Sequence, residues 1–219
     1  MNRRWAVGGA ALAISTIAAA RLGGWAVVTV ENPPDYLVAG RAAELTFSVR
    51  QHGSNLLPDL RPAIEARSGM TSVTGNAVST SKPGVYRGSL MVPRAGTWQI
   101  TIHSGFGRSK GAMLPLQAIE PTSRVPVVAE AERGRLLFAA KGCVTCHVHG
   151  GVDVVGELRN VAPDLTDRRF PAAYLATFLA NPAIKPPMAD LRMPNLGLKQ
   201  PEIAALIAFI NSDRKLSSR

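Results

Sequence analysis

The sequence predicts a multidomain β + α chain, an N-terminal β-sandwich followed by an all-α domain. Three observations carry this expectation. Between residues 25 and 120, short runs rich in β-branched residues alternate with Gly/Pro turn formers. Beyond residue 128 the apolar spacing lengthens to the helical period. Between them, "EPTSRVPVV" sets Pro121 and Pro126 around polar residues, which suits a linker over 121–128.

The N-terminus comes first. Arg3 and Arg4 precede an uncharged apolar run from Trp5 to Ala20. As a helix that run would span about 24 Å, short of a ~30 Å hydrocarbon core. Ala18, Ala19 and Ala20 supply a small-residue cleavage site, so residues 1–20 read as a secretory signal peptide. The rival is an uncleaved N-terminal membrane anchor, because Leu22 to Val30 is also mostly apolar. Membrane attachment through residues 5–30 therefore stays open. In either reading the folded part is periplasmic or otherwise extracytoplasmic.

The β-sandwich is expected over 25–120. "WAVVTV", "AELTFSVRQ", "VYRGSLMV" and "TWQITIHS" read as strands, with turns at "NPPD", "QHGSN", "SKPG", "PRAG" and "SGFGRSKG". No cysteine lies there, so no disulfide braces it. The all-α domain is expected over 129–214. "AEAERGRLLFAAK" places Leu136, Leu137 and Ala140 on one face, and "PAAYLATFLAN" and "PEIAALIAFIN" each open on a proline at a tolerated first-turn position. A piece of about 90 residues is small for a self-sufficient core, so something further is expected to fill it.

Charge narrows the function classes. The 25 basic residues outnumber 15 acidic ones, for a net +10. They are spread along the chain with no Lys/Arg run, so no nucleic-acid role is expected. Residues 21–124 carry 11 basic and 6 acidic groups, and residues 125–219 carry 12 and 9. The modest excess in the second half does not assure strong electrostatic steering of a partner.

Both cysteines lie in "KGCVTCHVHG". A disulfide is open to an exported protein, but a redox dithiol wants a βαβ setting, and a zinc site wants four ligands where only His149 stands nearby. C-x-x-C-H signals covalent attachment of haem c directly. Cys143 and Cys146 would bond the two vinyl-derived carbons, and His147 would reach the iron as proximal ligand. A downstream methionine before a proline, Met193 in "LRMPNLGL", suits a sixth ligand, and His/Met ligation raises the potential. Met188 in "IKPPMADLRM" is its rival.

Residues 129–211 resemble a class I cytochrome c domain. "GRLLFAAKGCVTCH" carries a Gly134 and Phe138 pair like the family's first helix. "APDLT" resembles the segment whose proline carbonyl accepts the haem histidine's ring N–H, which implies that role for Pro163. "MPNLGLKQPEIAALIAFI" resembles the methionine-ligand loop and last helix, with Phe209 at the usual aromatic position. The resemblance implies helices over 130–141, 171–180 and 201–212, and a single covalent haem c. Fixing one ring nitrogen of His147 would orient the other and raise its basicity. Leu165 and Leu191 are candidate pocket walls, and His149 reads as a solvated loop residue. The N-terminal piece resembles the YtkA-like and FixH-like group of small exported β-sandwich domains through "VAGRAAELTFSVR", "LRPAIEARSG" and "GVYRGSLMVPRAGTWQITI". That implies binding or scaffolding without chemistry.

Together these readings describe an exported monohaem cytochrome that carries electrons, with no catalytic residues of its own. Its expected partners are redox proteins, foremost a membrane electron-transfer complex of a respiratory kind. A fused cupredoxin is argued against, because a dinuclear copper site needs two bridging thiolates and the β piece has no cysteine, which leaves only a degenerate relative. His52, His103, Met70, Met91 and Met113 suit copper by ligand type but lack a compact spacing. They leave, as the alternative, a copper-handling or scaffold protein for oxidase assembly with an accessory haem. Met91, on a strand, reads as core.

Overall fold

The computed structural model describes residues 24–153, 159, 161–185 and 192–212. The expected signal peptide or anchor over 1–20 lies outside the described residues, as do Met188 and Leu191.

Among the described residues, ten strands precede the helices: β1 (Ala26–Val30), β2 (Leu37–Val38), β3 (Ala42–Gln51), β4 (Asn55–Leu56), β5 (Ala63–Ser68), β6 (Thr71–Ser79), β7 (Val85–Met91), β8 (Gly96–His103), β9 (Lys110–Ala112) and β10 (Leu116–Ile119). They run in the order β1-β3-β7-β6-β5-β8-β10-β2, with β4 on β3 and β9 on β8. Every pairing is antiparallel except β10 with β2. Two separate layers were expected, but β6 bonds to both β5 and β7 and joins them into one path. The sheet curls back on itself. A Cβ on Gly111 in β9 would stand 2.7 Å from the Val28 side chain in β1, although those strands are far apart along the path.

Inward alternation builds the core. Leu45, Phe47 and Val49 on β3 and Ile100 and Trp98 on β8 are fully buried. Phe47 faces Tyr86 across the β3–β7 ladder, with ring centroids 5.9 Å apart. Buried Tyr86 satisfies its hydroxyl by donating to the Leu57 carbonyl at 2.6 Å and accepting from the Leu60 N–H at 3.0 Å. Met91 faces outward and is exposed, which corrects its reading as core. β1 is buried along its length and paired with β3, so Ala26–Val30 belongs to the sheet and not to a membrane segment.

Residues 121–127 are exposed. Then come α1 (Glu130–Ala140), the single turn α2 (Cys143–Cys146), α3 (Ala172–Ala180), a 3₁₀ turn (Pro182–Ile184) and α4 (Gln200–Ile210). Glu130 and Glu132 complement the N-terminal dipole of α1. Pro171 stands at the N-cap of α3 and Pro201 in the first turn of α4. The Glu202 side chain reaches back to accept the Lys199 N–H at 2.9 Å. α1 and α4 cross at Gly134, where a side chain would collide with the Ala205 carbonyl and stand 2.7 Å from the Phe209 Cβ. Only glycine allows that approach.

The two cores are not independent. Leu114, from the loop between β9 and β10, is buried in the helical cluster, and Ala140 of α1 is buried in the sheet's core. Among the described residues, no helix is long and apolar enough to cross a membrane.

Candidate functional site

The site is built on the short turn between α1 and the loop that follows. Gly142 adopts φ +80°, a left-handed conformation that ends α1 and lets α2 start at once. Cys143 and Cys146 open and close that single turn. The His147 N–H donates to the Cys143 carbonyl at 2.9 Å, which sets the imidazole just past the second thiol.

A second segment is laced onto this turn through its backbone. The Arg159 N–H donates to the Thr145 carbonyl at 2.8 Å, Ala162 to Cys146 at 3.2 Å, and Leu165 to Val148 at 2.8 Å. Those three bonds carry Pro163 to the imidazole. The His147 Nδ1–H donates to the Pro163 carbonyl at 2.8 Å, so the other nitrogen, Nε2, keeps its lone pair. Asp164 accepts the Thr166 N–H at 2.8 Å, and the Thr166 hydroxyl accepts from the Gly150 N–H at 3.0 Å, closing the loop.

Electrostatics agree with this arrangement. Burial lowers the His147 pKa, opposed by the Pro163 bond, which favours the neutral imidazole that can bind a metal. Burial pushes the Cys143 thiol up to about 12, with Cys146 adding to the rise, and pushes Cys146 up to about 11. Neither thiol has the lowered pKa that marks a redox dithiol or a ready thiolate ligand.

Met193 is half-buried and packs against the helical cluster, as do Leu165, Phe170, Tyr174 and Leu198. These apolar side chains stay partly exposed beside the half-buried Cys143 and Val144. A flat apolar ring is the shape that would cover such a set, so the residues fit a haem group. Phe138 and Phe209 are fully buried with ring centroids 5.5 Å apart and serve packing.

His149 is not a solvated loop residue. It is buried, with its ring 4.2 Å from Phe209 and 5.9 Å from Phe138, and its Nδ1 accepts the Gly151 N–H at 3.1 Å. Burial lowers its pKa, so a neutral aromatic ring fills the crossing of α1 and α4. Lys141 also escaped notice in the sequence. It is 2 % exposed and ion-paired to Glu202 at 2.8 Å, and a lone lysine carries no sequence mark of burial.

The His/Met residues of the β domain do not come together. His52 packs on Trp25 with centroids 5.6 Å apart, and His103 pairs with Glu65 at 3.2 Å. Met70 stands fully exposed at the β5–β6 turn, whereas Met113 is buried. Among the described residues, no group of three or more His, Cys, Asp or Glu side chains is placed to hold a metal ion.

No curated protein matches the chain. Solved structures similar to it include a putative glycoside hydrolase from Bacteroides vulgatus, at 18% identity and TM-score 0.31, over 55% of this chain and 24% of that one. Another is a superoxide reductase (neelaredoxin) from Ignicoccus hospitalis, at 11% identity and TM-score 0.29, over 43% of this chain and 79% of that one. A polysaccharide lyase is similar at 13% identity and TM-score 0.21, over 70% of this chain and 21% of that one. The chain thus spans about a quarter of the glycoside hydrolase, and scores this low carry no statement about fold or activity. The helical part gives a clear result: residues 131–213 match the family model for cytochrome c, which supports a class I cytochrome c domain in this part of the chain, with covalently held haem c and electron transfer as its implication.

Proposed function

We propose that the chain is an exported monohaem c-type cytochrome that passes electrons between redox proteins, as a subunit or docking partner of a membrane electron-transfer complex. It changes no substrate bond. The observation that carries this reading is the 2.8 Å bond from His147 Nδ1 to the Pro163 carbonyl, beside two thiols on one turn. It fixes the tautomer and ring orientation that a histidine ligand requires.

In this reading Cys143 and Cys146 would hold the haem through their sulfurs, and His147 Nε2 and the Met193 sulfur would ligate its iron. The haem supplies a one-electron iron couple. The chain's part is to keep His147 neutral, to hold its ring by the Pro163 carbonyl, and to exclude water with the half-buried apolar set. The β domain serves as a scaffold that fixes the haem's placement on a larger complex. Residues 1–20 direct export, as a cleaved signal or a retained anchor.

Acid–organic extraction of the denatured chain tests the first claim, and pigment that stays with the protein supports it. Met193→Ala opens the sixth position. Rapid carbon monoxide binding by the reduced variant, absent from the parent and from Met188→Leu, supports Met193. N-terminal sequencing of the chain from membrane and soluble fractions separates signal from anchor, and co-purifying membrane subunits identify the partner.

A further inference from the structure

The strongest unassigned feature is the seat of Lys141, two residues before the first attachment cysteine. Its side chain is 2 % exposed and its partner Glu202 is 6 % exposed, so two charges have left water. Such a pair persists only where geometry is good and further hydrogen bonds satisfy it. The ammonium donates to Glu202 at 2.8 Å on α4 and to the Glu31 backbone carbonyl at 2.6 Å, just past β1. The Lys141 carbonyl in turn accepts the Thr29 hydroxyl at 3.2 Å, also buried. One residue is thus gripped at both ends by the β domain. The next residue leaves no gap, because a Cβ on Gly142 would stand 2.6 Å from both Val27 Cγ1 and the Val28 carbonyl. Cys143 follows directly.

An ion pair serving only the α1–α4 contact would need nothing from Glu31. The β domain completes the coordination of the ammonium. We propose that Lys141 is a positioning residue for the Cys143–His147 turn, and that β1 is the other half of its seat. The chain's own β domain then occupies the α1–α2 face of the cytochrome domain. Outside redox partners approach by another face, and the buried ammonium holds positive charge beside the attachment turn. This rests on the haem reading above.

The test uses the full haem-loaded chain with a specific protease site placed in the exposed stretch 121–127. Retention of pigment after acid–organic extraction is scored first, and its loss counts against the haem reading alone. After the linker is cut, the two pieces are expected to co-elute at the mass of the whole chain with an unchanged midpoint potential. Lys141→Met keeps the stem and removes the charge. The pieces should then associate about tenfold or more weakly, with the midpoint moved negative because Glu202 is left uncompensated. Lys141→Met with Glu202→Gln should bring the midpoint back toward the parent's while association stays weak. Thr29→Val, which leaves the ion pair intact, gives a smaller loss of association and serves if the lysine variant fails to load haem. The proposal is overturned if the parent's pieces part on cutting. It is equally overturned if loss of the ammonium leaves association unchanged, or loosens the pieces without moving the midpoint. If the lysine variant does not load, parent-like association in Thr29→Val overturns it.

Discussion

The two halves of this chain reach stability by different routes. The β domain encloses its own aromatic core: Phe47, Tyr86, Trp98 and Phe106 are all essentially inaccessible, and their polar atoms are satisfied locally. The cytochrome domain has a smaller buried cluster around Phe138, Leu206 and Phe209, and a rim of apolar side chains that stay half-buried among the described residues. It borrows Leu114 from the β domain, and the rest of its rim would face the proposed haem. A domain of this size buries a low fraction of its surface; the β domain meets part of the shortfall on one side, and the proposed haem would meet it on the other.

Breaking the attachment should separate the halves most. Cys143→Ala with Cys146→Ala should abolish covalent haem, read as complete loss of pigment after acid–organic extraction. The cytochrome domain should lose its cooperative transition while the near-ultraviolet signal of the β domain's Trp98 persists. Trp98→Ala should do the reverse. It empties a fully buried site and orphans the Arg94 carbonyl bonded at 3.0 Å, at a cost of about 3–5 kcal/mol, seen as a lower denaturation midpoint at intact haem content. Gly134→Ala forces α1 from α4 at their closest approach and should cost about 1–3 kcal/mol, measured as weaker haem retention under denaturant.

The smallest effect is a pH dependence confined to the β domain. Arg67, Ser72 and His103 bond Glu65 on the outer face and hold its carboxyl down to about 2. A depressed carboxylate stabilises above its unfolded pKa. That contribution is present from about pH 4.5 upward and fades as the pH falls toward 2. Solvent screening keeps it under roughly 1 kcal/mol. Glu65→Gln should lower stability by up to that amount from about pH 4.5 through neutrality and meet the parent's stability near pH 2, which flattens the profile over that acid range.

Legibility differed between the halves for a physical reason. "CVTCH" is read in a single pass because thioether attachment constrains neighbours in sequence, and the family's helices are long enough to show their period. β3, β7 and β8 were legible from alternation, whereas β5 and β6 were not. β6 is largely exposed, carries Gly75 where a Cβ would collide with the Ser89 carbonyl, and is rich in Ser, Thr and Asn. Its strand state is set by partners on both sides and not by its own pattern. Met91 and His149 were misjudged because one residue's burial depends on which way a strand or loop turns.

By itself the sequence determined the division into a β part and a helical part, and the spacing from Cys143 to His147 on which the haem proposal rests, since each depends on composition or on distance between near neighbours. The tertiary structure alone decided that ten strands join in one curled sheet, that Pro163 meets His147, and that Lys141 lies buried between two domains. Those contacts join residues 16 to more than 100 positions apart, and only the packed chain brings them within reach of a hydrogen bond.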